Sequence, residues 1–139
     1  MLFGAEHVKR YQETDGKEGH DWQGTTTLIL TTTGRRSGEE RSTPLIYREP
    51  SEGVYAIVAS NGGGDPPAWY LNLTEKPEVT VQVWGDVFVA HARVADTAEK
   101  PELWKQLVAT WPDYDEYQQK ADREIPVVLL ERNTAASVD

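Results

Sequence analysis

Apolar and polar positions alternate in several short runs along the chain, and each run predicts a strand. Residues 26–33 (Thr-Thr-Leu-Ile-Leu-Thr-Thr-Thr) are β-branched or aliphatic throughout, which is strand composition. An exposed turn over Arg35 to Glu40 separates them from a second strand at residues 42–48. Pro44 lies inside that strand and has no N–H for a ladder, so an edge or a bulge is expected there. Ser51-Glu52-Gly53 marks the next turn, and Val54 to Ala59 a third strand. Residues 79–84 and 87–94 alternate on either side of Gly85-Asp86, the pattern of an antiparallel hairpin. Residues 125–131 supply the last strand.

Other stretches follow a helical period. Residues 4–13 predict a short helix with Val8 and Tyr11 three apart. A turn-rich loop then leads to Trp22. Residues 68–75 predict a helix that starts after Pro66-Pro67, as helices often do, and stops at Pro77. In residues 97–110, Leu103, Trp104, Leu107 and Val108 form a helical apolar stripe, and Thr97 with Lys100 makes an imperfect capping box. Residues 113–121 predict another helix with Asp113 as its cap. Asn133 to Asp139 reads as a frayed, flexible tail.

About six strands joined by hairpin-length turns, with a few short helices, favour an antiparallel sheet curled into a small barrel over a βαβ parallel sheet. The fold class is thus α+β, mainly antiparallel β. A length of 139 residues fits one domain over 1–139, with residues 1–24 as an N-terminal helix and loop.

Composition narrows the chemistry. The absence of cysteine excludes disulfides, thiolate metal sites and thiol nucleophiles. His7, His20 and His91 lack metal-ligand spacing, so no metal is expected. No apolar run approaches the roughly 20 residues of a membrane span, and no signal peptide is evident; a soluble cytoplasmic protein is expected. The net charge of −9 disfavours nucleic acid as a partner. That charge is uneven. Residues 96–131 hold nine acids against four bases, giving −5, whereas residues 35–48 hold four Arg against two Glu, giving +2. A basic loop on an acidic chain suggests a small anionic ligand.

Three loops are candidates for chemistry. In residues 33–41, glycines expose backbone N–H groups, while Arg35, Arg36, Arg41 and Ser37 offer charge-assisted donors to phosphate or carboxylate. A charged hairpin tip is the competing reading, and the loop lacks the P-loop spacing. In Ser60-Asn61-Gly62-Gly63-Gly64, three glycines permit close backbone approach to a ligand, or simply a flexible connection. Trp111, Tyr114 and Tyr117 stand three apart, so a helical turn places them on one side. They suit either a pocket wall for a flat acceptor or ordinary core packing.

Taken in order, these loops resemble the deazaflavin (coenzyme F420)-dependent nitroreductase and quinone reductase family of actinobacteria. The resemblance rests on residues 27–45, residues 58–73 (Ala59-Ser60, Gly62-Gly63, Trp69-Tyr70, Asn72-Leu73) and residues 111–127 (Tyr114, Tyr117-Gln118, Asp122 to Val127). It implies a split β-barrel of the FMN-binding type with short flanking helices. It also implies F420 as cofactor, with Arg35, Arg36, Ser37, Gly38 and Arg41 at the phosphate and Pro44 and Leu45 lining the ring. Ser60, Asn61, Gly62 and Gly63 approach the deazaflavin, and Trp69 and Asn72 help hold it. Trp111, Tyr114 and Tyr117 border the acceptor. Arg36, Asn61 and Trp111 depart from the family's more usual Lys, Lys and Tyr.

The activity implied is hydride transfer to a small electron-poor acceptor: a quinone, a nitroaromatic, or an enone or unsaturated lactone. Tyr117, Tyr114 or Ser60 is expected to donate a hydrogen bond or proton to it. An FMN-dependent reductase on the same barrel and a non-catalytic F420-binding protein are the alternatives. A monomer or weak homo-oligomer is expected.

Overall fold

The structure is a computed structural model and describes residues 2–133. Its framework is one antiparallel sheet of eight strands in the order β1-β2-β6-β7-β8-β5-β4, with β3 on β2 as a branch. The strands are β1 (Asp21–Trp22), β2 (Thr25–Thr33), β3 (Glu40–Ile46), β4 (Arg48–Ser51), β5 (Val54–Val58), β6 (Glu78–Val83), β7 (Asp86–Val94) and β8 (Val127–Arg132). Four helices flank them: α1 (Gly4–Glu13), α2 (Ala68–Glu75), α3 (Lys100–Thr110) and α4 (Asp113–Lys120).

The sheet curls on itself. Leu28 and Leu30 of β2 share one buried cluster with Tyr55 and Ile57 of β5, although four strand pairings separate these strands along the sheet. Val81, Phe88, Val128 and Leu130 complete this inner core, and Leu73 of α2 joins it. The strand period of two sends alternate residues outward. Ile29 therefore meets Val8 and Tyr11 of α1. Ala56, Val58, Val127 and Leu129 meet Leu103 and Leu107 of α3 and Tyr114 of α4. Burial on both faces explains the unbroken apolar runs of β5 and β8. The curled antiparallel sheet with flanking helices is the expected split-barrel architecture.

Several element boundaries differ from expectation, each for a local reason. The run 42–48 divides at Tyr47, because β3 pairs with β2 while β4 pairs with β5. Pro44 lies opposite Ile29 on β3, whose ladder partner is β2, so the edge position holds. Val83 pairs with Asp86, which makes Trp84-Gly85 the hairpin turn rather than Gly85-Asp86. Trp84 takes a left-handed φ of 54° to close it. The Asp96 carboxylate accepts from Ala98 N and Glu99 N, so a capped turn occupies 96–99 and α3 starts only at Lys100. Asp113 is the first residue of α4 and makes no side-chain cap; Pro112 holds the cap position. Asn133 N donates to Val89 O, which ties down the first residue of the expected tail; residues 134–139 lie outside the described residues. No helix among the described residues is long and apolar enough to cross a membrane.

Candidate functional site

The β2–β3 connection is built to display cations. Thr33 pairs with Glu40, and residues 34–39 form the loop between them. Gly34 N donates to Glu39 O at 2.7 Å, and Gly38 N donates to Gly34 O at 2.9 Å. Gly38 has a φ of 75°, which an L side chain rarely adopts. A Cβ on Gly34 would come within 2.7 Å of the Ser37 hydroxyl, which itself accepts from Glu39 N.

Asn72 of α2 holds this loop from below. It is buried, and its Oδ1 accepts from Arg35 N at 3.2 Å and Arg35 Nη1 at 3.0 Å, while its Nδ2 donates to Thr32 Oγ1. Arg36 and Arg41 are exposed, and Arg41 has only an exposed 3.3 Å pair with Glu39. Arg35, Arg36, Ser37, Arg41, Trp69 and Asn72 line a chamber of about 510 Å³.

A second chamber, of about 420 Å³, adjoins it, and Thr43 and Trp69 line both. Pro44 and Leu45 form part of its floor. Ser60, Asn61 and Gly62 reach it from the end of β5, and Trp111, Tyr114 and Tyr117 from α4 and the turn before it. Ser60 is only 8% exposed, and its hydroxyl, which makes no hydrogen bond among the described residues, keeps part of that exposed surface. Trp111 Nε1 donates to Tyr117 Oη at 3.5 Å, which leaves the Tyr117 O–H as a free donor.

Two expected site residues lie elsewhere. Gly38 lines neither chamber. Gly63 is not among the residues that line either chamber, and a Cβ there would approach Tyr117 O to 2.8 Å, so its small size permits close contact with α4. Tyr114 touches the chamber but is only 6% exposed and belongs to the outer core with Leu103 and Leu107. Burial pushes its phenol pKa well above the ordinary value, so this group stays protonated.

The fold also adds residues that the sequence did not single out. Phe3, His7 and Trp22 close one side of the second chamber, and Thr27 and Val58 contribute to its wall. Phe3, His7 and Trp22 precede the first matching segment, and Thr27 and Val58 sit in plain strand runs, so no local pattern points to them as site residues. Arg123 organises the glycine loop by donating to Ala59 O, Ser60 O and Gly64 O. His20, which reads as part of a polar loop, is buried. It stacks on Trp84 with centroids 3.7 Å apart and bonds both Asp21 and Tyr47 at 2.9 Å.

A cationic chamber beside an aromatic one, with Thr43 and Trp69 lining both, fits a ligand with a flat ring and an anionic tail. Comparison with known proteins agrees. The family model described as F420H(2)-dependent quinone reductase matches residues 4–132. An F420H(2)-dependent quinone reductase of Mycobacterium tuberculosis is 36% identical over 132 residues, covering 91% of this chain and 87% of that protein. A solved F420-H2-dependent reductase superposes with a TM-score of 0.68 at 44% identity, covering 76% of this chain and 93% of the other. Another solved structure, described as a domain-swapped dimer, reaches a TM-score of 0.73 at 39% identity, covering 91% and 92%. The chain belongs to the F420H(2)-dependent quinone reductase family.

Proposed function

We propose that this protein is an F420-dependent oxidoreductase that reduces a quinone, with nitroaromatics and enones as further acceptors of the same electronic character. The observation that carries the reading is the junction at Thr43 and Trp69 between a cationic and an aromatic chamber. Arg35, Arg36 and Arg41 would hold the phosphate and carboxylates of the F420 tail, through charge-assisted bonds that offset desolvation. Pro44, Leu45, Trp69 and the backbone of Asn61-Gly62 would hold the ring. When bound in its reduced form, this cofactor supplies a hydride.

The protein's own work is positioning and electrostatics. Trp111 and Tyr117 would wall the acceptor, with buried Tyr114 packed edge-on against Tyr117. The acceptor gains negative charge on oxygen as it is reduced. The free O–H of Tyr117 and the unpartnered hydroxyl of Ser60 would donate to that oxygen, and preorganised donors of this kind lower the barrier most where charge develops.

The test is F420H2 oxidation followed by absorbance against a panel of quinones, nitro compounds and enones, with F420 and FMN affinities measured in parallel. Turnover with quinones and tighter binding of F420 than of FMN is the expected result. Tight FMN binding without F420 binding would replace the reading with the flavin alternative. F420 binding with no oxidation by any acceptor would make the protein a carrier.

A further inference from the structure

His7 is the buried titratable group at the site that the preceding reading leaves without a task. It sits on α1 and is 2% exposed, yet it lines the aromatic chamber together with Trp22, Thr27 and Tyr117. Its Nε2 lies 2.9 Å from Gly19 O. A carbonyl oxygen only accepts, so Nε2 carries a hydrogen in every protonation state. Thr27 Oγ1 donates to the same carbonyl at 2.6 Å and fixes the arrangement.

Gly19 seals the Cδ2–Nε2 edge of the ring, because a Cβ there would come within 2.9 Å of Cδ2 and 3.0 Å of Nε2. Tyr11 and Trp22 flank the ring at 6.4 and 6.1 Å. Both hydrogen-bond contacts of the ring, to Gly19 O and to Thr27 Oγ1, are at Nε2, and Nδ1 makes no hydrogen bond among the described residues. An imidazole held at one nitrogen with the other unpartnered at a cavity is the arrangement of a proton donor or acceptor.

We propose that His7 is a catalytic residue that protonates the reduced acceptor through Nδ1. The inference rests on the quinone-reductase reading. The quinone gains two electrons and one hydrogen as hydride, which leaves one oxygen anionic. The imidazolium N–H bond at Nδ1 breaks and an O–H bond forms, giving the hydroquinone. The imidazole recovers its proton from solvent, and the second proton released on oxidation of F420H2 returns to solvent. Overall, F420H2 and quinone give F420 and hydroquinone.

His7→Gln tests this, because its amide can still donate to Gly19 O while nothing replaces Nδ1. Enzyme preloaded with F420H2 is mixed in stopped flow with menadione, or with methylene blue, a cation that a hydride alone converts to a neutral product. The expected result is a fall of roughly 10²-fold for menadione, within the usual range for general acid catalysis, and a change of about twofold or less for methylene blue. Equal losses for both acceptors, or an unchanged menadione rate, would overturn the proposal.

A second readout needs no turnover. In protein with ¹⁵N-labelled histidine, 2,4-dinitrophenolate mimics the anionic product. Its addition is expected to move the His7 Nδ1 signal, as a hydrogen bond from Nδ1–H to the anionic oxygen requires, and an unmoved signal would count against the assignment. If wild-type enzyme reduces no quinone, the quinone reading fails while this measurement still judges His7.

Discussion

The two chambers of the site are built on opposite principles. The cationic chamber is a surface loop held by few bonds, with Arg36 and Arg41 exposed and Asn72 as its one buried anchor. The aromatic chamber is the inner side of a packed core: Tyr114 lies in the cluster that joins α3 and α4 to β5 and β8. Changes in the first should therefore act on binding, and changes in the second on stability as well as chemistry. Function is easier to alter singly where the side chain carries no packing.

The largest expected effect is that of Tyr114→Ala. Removing this ring, which packs near Trp104 and Tyr117, should cost about 3–5 kcal/mol, as for other buried aromatics. Urea unfolding measures it, and turnover should fall alike with acceptors of different shape. Unchanged stability with an altered acceptor profile would move Tyr114 out of the core and erase the contrast between the chambers.

Tyr117→Phe comes next. The wall remains and the free O–H is lost, so single-turnover rates with quinones should drop about tenfold or more, while F420 affinity and melting temperature stay near wild type. A loss of F420 affinity instead would assign the hydroxyl to the cofactor. Tyr117→Ala, which removes the wall as well, should also change the preference between a broad and a narrow quinone.

Arg41→Ala should weaken F420 binding by about tenfold, the lower end for a charge-assisted contact. A deazaflavin lacking the tail should be affected much less, and the melting temperature should hold. Added salt should weaken F420 binding to wild type, since the guanidinium is exposed. Equal losses for both ligands would remove the arginine loop from the tail site.

The smallest effect lies away from both chambers and supplies a baseline. Arg93 and the Asp96 backbone N–H hold Glu99 down to a pKa of about 2. A carboxyl depressed in the folded state stabilises it fully above its ordinary value near 4.5, and this contribution is lost as pH falls toward about 2. Glu99→Gln should therefore flatten the pH dependence of unfolding in that acid window and leave F420 affinity at neutral pH unchanged. An unaltered acid limb would show that the Arg93 pair does not form in solution.

Much of the framework was legible because it follows from local patterning. The helix at 68–75 begins after two prolines and ends before a third, and it appears with those bounds. The hairpin of β6 and β7 was clear from alternation, but its turn lay one residue earlier, since Trp84 accepts a left-handed backbone where it stacks on His20. The division at Tyr47 was not legible: nothing local announces that a strand changes partners. Gly62 and Gly63 are alike in the sequence, yet one borders the chamber and the other meets α4. The difference depends on where a helix fifty residues later comes to rest.

The sequence by itself determined the alternation that makes a curled antiparallel sheet, the arginine cluster on an acidic chain, and the three loops that identify the family. Those features are local, set by side-chain period, backbone freedom and charge. The tertiary structure decided which of them meet. Curling brings the arginine loop and the aromatic turn to either side of Thr43 and Trp69, and docking α1 against β2 carries Phe3 and His7 to the chamber wall. Such contacts join residues far apart in the chain, and their partners are fixed only when the core closes.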